Sequence, residues 1–270
     1  MLRKFLKSKR ALTIPVTYLM LFVSLLALVS VTYSFAVAKI SARGALLKVS
    51  VAKQNMQILD DAVRSVAFNL GASKVVFMDD CGGNFQVAPS EKNLILNFTD
   101  EQTFAYIVFN SSTGKAFYEL EAAETHSDGL FVRGDERTII NRSAYMTQLY
   151  FSAGDDSKEL TLCYRPSAAS TFIGTSNGKP LNLIRVFVIS LNASTNLLRS
   201  GKFYLKVSAT SVTSIIQQYE FYSEVSSLAL KANFDGISTT VWLPISSVSE
   251  GAFVNLEIII YDVKIEPIEV

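Results

Sequence analysis

The 270 residues contain one histidine, two cysteines and one tryptophan. One imidazole and two thiols are too few for zinc or haem sites of ordinary ligation. The sequence has no G-x-S-x-G elbow, no Walker loop and no dinucleotide fingerprint. His126 sits in the polar run Glu124-Thr125-His126-Ser127-Asp128 and reads as a solvated loop side chain. No catalytic residues, no metal and no cofactor are therefore expected, and the chain is not read as an enzyme. Acidic residues are absent before Asp60, and charged residues make up only 18% of the chain. Beyond residue 10 the chain holds 20 basic against 24 acidic residues. That balance gives no electrostatic footprint for nucleic acid.

What the N-terminus has instead is apolar length. Residues 11–38, ALTIPVTYLMLFVSLLALVSVTYSFAVA, carry no charge, and five cations precede them: Arg3, Lys4, Lys7, Lys9 and Arg10. About 20 apolar residues span a bilayer core as helix, so residues 12–38 are read as a transmembrane helix with the lipid bilayer as partner. The run exceeds the roughly 7–15 residues of a cleavable secretory core. Cleavage after Ala36-Val37-Ala38 is the competing small-x-small reading. The cationic tail and four downstream acceptor triplets point to a cytoplasmic N-terminus and an extracellular C-terminal region in the cell membrane. Those triplets, candidate N-glycosylation sites of a glycoprotein, begin at Asn97, Asn110, Asn141 and Asn192.

Beyond Ala38 the pattern becomes amphipathic with no helix breaker. Ala42, Ala45, Val49, Ala52, Met56, Leu59, Val63, Val66 and Leu70 recur at three- and four-residue spacing, with Lys48, Lys53, Asp60, Asp61 and Arg64 away from that seam. Residues 39–71 are read as a helical extension, stopped at Gly71. Pro15 is tolerated in a first turn, so residues 14–70 form either one rod of roughly 85 Å or two separate helices.

From Lys74 the period shifts to two. Strands are expected at Val75–Phe77, Leu94–Phe98, Phe104–Phe109, Leu130–Arg133, Leu160–Tyr164, Ile184–Leu191, Phe203–Val207, Ser214–Tyr222, Leu228–Phe234, Ile237–Leu243 and Val254–Ile265. Asp235-Gly236 marks a two-residue hairpin turn. Loops are expected at Cys81-Gly82-Gly83, Ser112-Thr113-Gly114, Ala153-Gly154-Asp155 and Thr175–Pro180. The fold class is α+β: a long N-terminal helix, then an antiparallel β-sandwich region over residues 72–270. That region is one large sandwich or two small ones, with a boundary near 166–180.

The junction Lys9-Arg10-Ala11, followed by Leu12-Thr13-Ile14-Pro15-Val16 and the apolar run, resembles the class III signal peptide of archaeal type IV pilins and archaellins. In that family a prepilin peptidase cuts a cationic leader ahead of the hydrophobic helix, which stays on as anchor and assembly element. The resemblance covers about 60 residues and implies a leader of residues 1–11, cut between Ala11 and Leu12, with Arg10 as the basic junction residue. Thr13-Ile14 stands where the archaeal proteins have a Ser-Pro pair, and Val16 where bacterial pilins carry an acid. The resemblance implies a single-pass, pilin-like structural subunit or minor component of a cell-surface filament or associated secretion system. Its partners would be prepilin peptidase and copies of itself or other pilin-like subunits. The other reading is an uncleaved, non-assembling anchored protein whose β-region binds a ligand or serves adhesion.

Three smaller features remain. Cys81 and Cys163 either form a disulfide, closing a loop of about 80 residues worth roughly 4 kcal/mol, or are small buried hydrophobes. Asp79-Asp80, Asp100-Glu101 and Asp155-Asp156 read as solvated turn acids. Arg133-Gly134-Asp135 spells an adhesion tripeptide and also an ordinary tight turn.

Overall fold

The computed structural model describes residues 9–100, 104–120, 129–141, 145–153 and 157–269. Among the described residues there is one helix, α1 (Lys9–Ala67), as a single element. Contacts divide the chain into two units, 1–47 and 48–270.

In the first unit, α1 is long and apolar enough to cross a membrane. Leu19, Phe22, Leu26, Val29 and Phe35 are all exposed, so the apolar surface runs around the whole helix rather than along a stripe. The hydroxyls within it turn back on the helix: Ser24 Oγ donates to Leu21 O, Thr32 Oγ1 to Leu28 O and Ser34 Oγ to Ser30 O. Such self-satisfaction removes the penalty of placing a hydroxyl in hydrocarbon. Lys39 Nζ folds over the Phe35 ring at 5.6 Å, keeping its stem on apolar surface.

The second unit begins on the same helix. Val49, Ala52, Met56, Leu59, Val63 and Val66 are buried, as the seam predicts. The seam is shorter than expected, however. Ala42 and Ala45 are not buried, Leu70 is exposed, and α1 stops at Ala67. Gly71, at φ +79°, completes the turn and its N–H donates to Ala209 O at 3.1 Å. The chain is then already committed to the sheet.

Fourteen strands follow among the described residues: β1 (Ser73–Met78), β2 (Asn84–Thr99), β3 (Ala105–Leu120), β4 (Phe131–Arg133), β5 (Ile140–Asn141), β6 (Thr147–Ala153), β7 (Lys158–Tyr164), β8 (Ser167–Ser176), β9 (Lys179–Ser190), β10 (Leu197–Ser200), β11 (Phe203–Phe221), β12 (Ser227–Phe234), β13 (Ile237–Pro244) and β14 (Ala252–Ile268). One sheet has the order β1-β11-β14-β9-β8-β5. The other runs β13-β12-β2-β3-β7-β6-β4, with β10 beside the start of β2. The α+β class holds, with one qualification: β14 pairs β9, and β5 pairs β8, in parallel.

The choice between one sandwich and two resolves into a single unit with two cores. The core around α1 joins Met56, Leu59 and Val63 to Val76, Leu205 and Val263 of the first sheet and to Phe85, Tyr118 and Leu162 of the second. The other core is sheet against sheet: Leu94, Leu96, Ile184, Leu230, Val254 and Leu256. β2, β3, β11 and β14 run through both, which is why they reach 16–19 residues.

An expected loop, an expected break between strands and the expected boundary all fall on these through-going or neighbouring strands. Ser112-Thr113-Gly114 lies inside β3, because a Cβ on Gly114 would come within 2.8 Å of Leu191 Cβ; the glycine serves a close approach, not a turn. β11 is one strand, not two, carried past a bulge at Ala209/Ser211 by its partner β14. The proposed boundary at 166–180 is the β8–β9 hairpin, paired from Ser167↔Phe187 to Ser176↔Lys179. Its turn is Asn177 (φ 48°) and Gly178 (φ 80°), the same primed geometry that Asp235 and Gly236 give the β12–β13 hairpin.

Candidate functional site

The polar chemistry of the second unit concentrates where α1 meets β4, β6 and β7. Asp60 is fully buried although sequence periodicity placed it on the outer face. Its Oδ2 accepts from Arg133 Nη1 at 2.7 Å; its Oδ1 accepts from Thr147 Oγ1 at 2.7 Å and from the Tyr164 hydroxyl at 3.2 Å. Arg133 Nη1 also reaches Asp61 Oδ1 at 2.6 Å. Burial, and then the adjacent Asp60 carboxylate, push the Tyr164 hydroxyl well above the ordinary tyrosine value. One turn earlier, Asn55 Nδ2 donates to Asp79 O at 2.8 Å and to the Tyr118 hydroxyl at 3.1 Å, while its Oδ1 accepts the Asp79 N–H. These bonds fix the rotation and height of the helix against the sheets, which apolar contacts alone leave free to slide.

Arg133-Gly134-Asp135 is a turn pinned by ion pairs on both sides rather than a free recognition loop. Arg133 is held by the helix acids, and Asp135 by two guanidinium groups, Arg137 and the buried Arg165. Gly134, at φ +80°, would place a Cβ 2.3 Å from Thr147 O, so only glycine fits. The Asp135 carboxyl is held well below the usual range by Arg137 first and Arg165 second. Its contribution to stability is complete above the unfolded value near 4 and is lost as pH falls through the lowered folded value. Arg165, whose buried Nε has no hydrogen-bond partner among the described residues, borders a shallow cavity of about 320 Å³ with Arg137, Asn141 and Tyr145. A second cavity, of about 270 Å³, is walled by Phe131, Tyr150, Phe234 and Ile237, with Lys92 and Glu136 among its polar lining.

The two cysteines are free and buried, in keeping with the second of their two readings. Cys81 belongs to the core around α1 and Cys163 to the core between the sheets, so they serve as separate small hydrophobes. Cys163 Sγ donates to Gln148 Oε1 at 3.7 Å, and burial pushes its thiol up to about 12. Alkylation of the native protein is therefore expected to label neither thiol rapidly. Denaturation without reductant should expose both, and mass spectrometry should read two adducts; zero adducts until reductant is added would restore the bridge.

The acceptor asparagines are dispersed. Asn110 and Asn141 are exposed on β3 and β5, while Asn97 is half-buried near the end of β2. Asn192 is occupied as a staple: its Nδ2 donates to Ser112 O at 2.6 Å and its Oδ1 accepts the Ser90 N–H at 3.2 Å. Arg10, Ala11 and Leu12 lie in the first turns of α1. His126, Glu101, Asp155 and Asp156 fall outside the described residues. Among the described residues no three His, Cys, Asp or Glu side chains group closely enough to hold a metal ion.

Comparison of the chain with protein-family models, curated proteins and solved structures finds no match. The functional reading therefore rests on the residues themselves. Sequence reasoning missed Asn55 and Asp60. The signal was there in their spacing: Ala52, Asn55, Met56, Leu59, Asp60, Val63 and Ala67 make one wide stripe, broader than the single seam that was read.

Proposed function

We propose that the chain is a single-pass membrane protein of type IV pilin-like architecture. It acts as a structural subunit or minor component of an archaeal-type surface filament or its secretion apparatus. The observation that supports this is the division of labour within α1. From Val16 to Leu47 the helix offers apolar side chains that the chain itself leaves uncovered, and from Val49 to Ala67 it is the spine of a β-rich unit. A helix built this way suits an anchor that can pack with its own kind while holding the β-unit outside the cell. Exposed Asn110 and Asn141 are in keeping with that side of the membrane. No catalytic step belongs to this reading. A second reading, an anchored protein that binds a ligand without assembling, draws on the aromatic-walled cavity of about 270 Å³.

N-terminal sequencing of the protein from its native membrane separates the two. A mature start at Leu12 is expected, and Arg10→Glu should leave a slower-migrating precursor in the same membrane fraction. An intact Met1, or a start at Lys39, would exclude prepilin-type processing.

A further inference from the structure

Most sheet edges in the second unit are short or blunted, as soluble proteins require. β4 and β5 are three and two residues long, β10 carries Arg199, and β1 carries Lys74. The edge of β13 is capped at Thr239 by Thr138, whose Oγ1 accepts the Thr239 N–H at 2.9 Å, while Thr239 Oγ1 accepts the Ile139 N–H, and the strand ends at Pro244. One side of the sheet-on-sheet half departs from this. β7 covers β3 only from Ala116 onward, and β1 covers β11 only as far as Ser208. Among the described residues nothing pairs with the outer edges of β3 from Ala105 to Ser111 or of β11 from Thr210 to Phe221. No charged residue, proline or glycine lies in Ala105–Ser111, and Thr210–Phe221 holds one charged residue, Glu220, paired with Lys179. Ile107 and Ile216 are each 67% exposed beside Tyr106 and Val212. The only interruption in the β3 edge is a bulge at Val108.

The two edges lie side by side and run in opposite directions. Tyr106, at the start of β3, sits 6.0 Å from Tyr219, near the end of β11. Further along, Leu205 and Val207 of β11 share the α1 core with Ala116 and Tyr118 of β3. A two-fold axis parallel to the strands exchanges the two layers as it turns one copy onto the other. It thus brings β11 of one copy against β3 of the next, antiparallel, and the reciprocal pair forms at the same time. The height of each residue along such an axis is preserved, so the Tyr106–Tyr219 contact sets the register near Ile216 opposite Asn110.

We propose that this open side is a docking surface for a second copy of the chain, joined by reciprocal antiparallel addition of β11 to β3 so that both sheets continue across the dimer. The free backbone groups specify an extended strand as occupant. The scarcity of charge on both edges, where Glu220 is the one charged residue and is paired with Lys179, their opposite polarity and their side-by-side placement make the chain its own complement. The contact is made by the β-unit and does not depend on how the N-terminus is processed.

Two tagged full-length copies, one Ile216→Cys and one Asn110→Cys, would be co-expressed and treated in native membranes with a short bifunctional thiol reagent. Buried Cys81 and Cys163 do not compete, and Asn110→Cys also removes its acceptor triplet. A cross-linked heterodimer is expected at least tenfold above that from copies carrying Ser238→Cys on β13. The double variant Ile107→Lys/Ile216→Lys, altered only at exposed positions, should retain its melting temperature and lose dimer mass in detergent. Cross-linking no stronger than the Ser238 control would overturn the proposal. So would a dimer that persists in the double lysine variant, since association would then run through another surface such as the apolar helix.

Discussion

Asp60→Ala is expected to destabilise the β-unit by about 3–5 kcal/mol, the scale of breaking a buried ion pair. The carboxylate is the common acceptor for Arg133, Thr147 and Tyr164, and its removal leaves the two buried hydroxyls without a partner. Each orphaned buried group costs about 1–3 kcal/mol. Arg133 retains Asp61, which limits the loss from that side. Asp61→Ala is the matched control: its side chain is 55% exposed, and exposed pairs contribute about 0–1 kcal/mol. Denaturant titration of the full chain in detergent reads both. Equal midpoints for the two variants would show that the buried clamp contributes no more than a surface pair.

This clamp also marks where sequence reading stopped. The period-2 stretches were legible because inward and outward residues alternate: Leu94, Leu96 and Phe98 are buried with Ile95 and Asn97 between them less so. The β12–β13 hairpin was legible because Asp235-Gly236 supplies the positive φ angles that a tight turn demands. Asn177-Gly178 carries the same signal, but Pro166 and Pro180 on either side made the stretch read as a boundary. Pro180 in fact stands at the second position of β9, which pairs its Lys179–Phe187 part with β8 and reaches β14 only from Leu181. What no pattern exposed was the two-sidedness of α1. A helix touching one sheet shows one stripe, whereas one that shares a core with both sheets buries polar residues beside the stripe and satisfies them locally. Asn55 and Asp60 are polar letters in buried positions, and only their partners reveal it.

The open edges were invisible for a related reason. Tyr106, Ile107, Val212 and Ile216 are ordinary strand residues in the sequence, and their exposure follows from how far β7 and β1 extend. Edge status is a property of neighbours. It becomes visible only once the pairing is known, as does the contrast with the Thr138–Thr239 cap on β13.

Leu59→Lys should prevent the β-unit from folding, whereas Leu59→Ala should fold with a loss of about 2–5 kcal/mol. Leu59 is fully buried in the core that joins α1 to both sheets, so the ammonium would have no water and no carboxylate of its own. The neighbouring acid, Asp60, is already engaged by three donors. An unpaired charge in such a site costs several kcal/mol beyond the lost packing, on a domain whose total stability is of order 5–15 kcal/mol. Gln54→Lys, one exposed position on the same helix stretch, should melt like the parent. The three chains also separate folding from anchoring. The apolar run is untouched in each, so all three should reach the membrane fraction, with only Leu59→Lys sensitive to protease throughout the β-unit. A Leu59→Lys protein that resists protease and melts like Gln54→Lys would mean that α1 does not sit in the core of the β-unit. The spine that supports the anchor-and-display reading would then be absent.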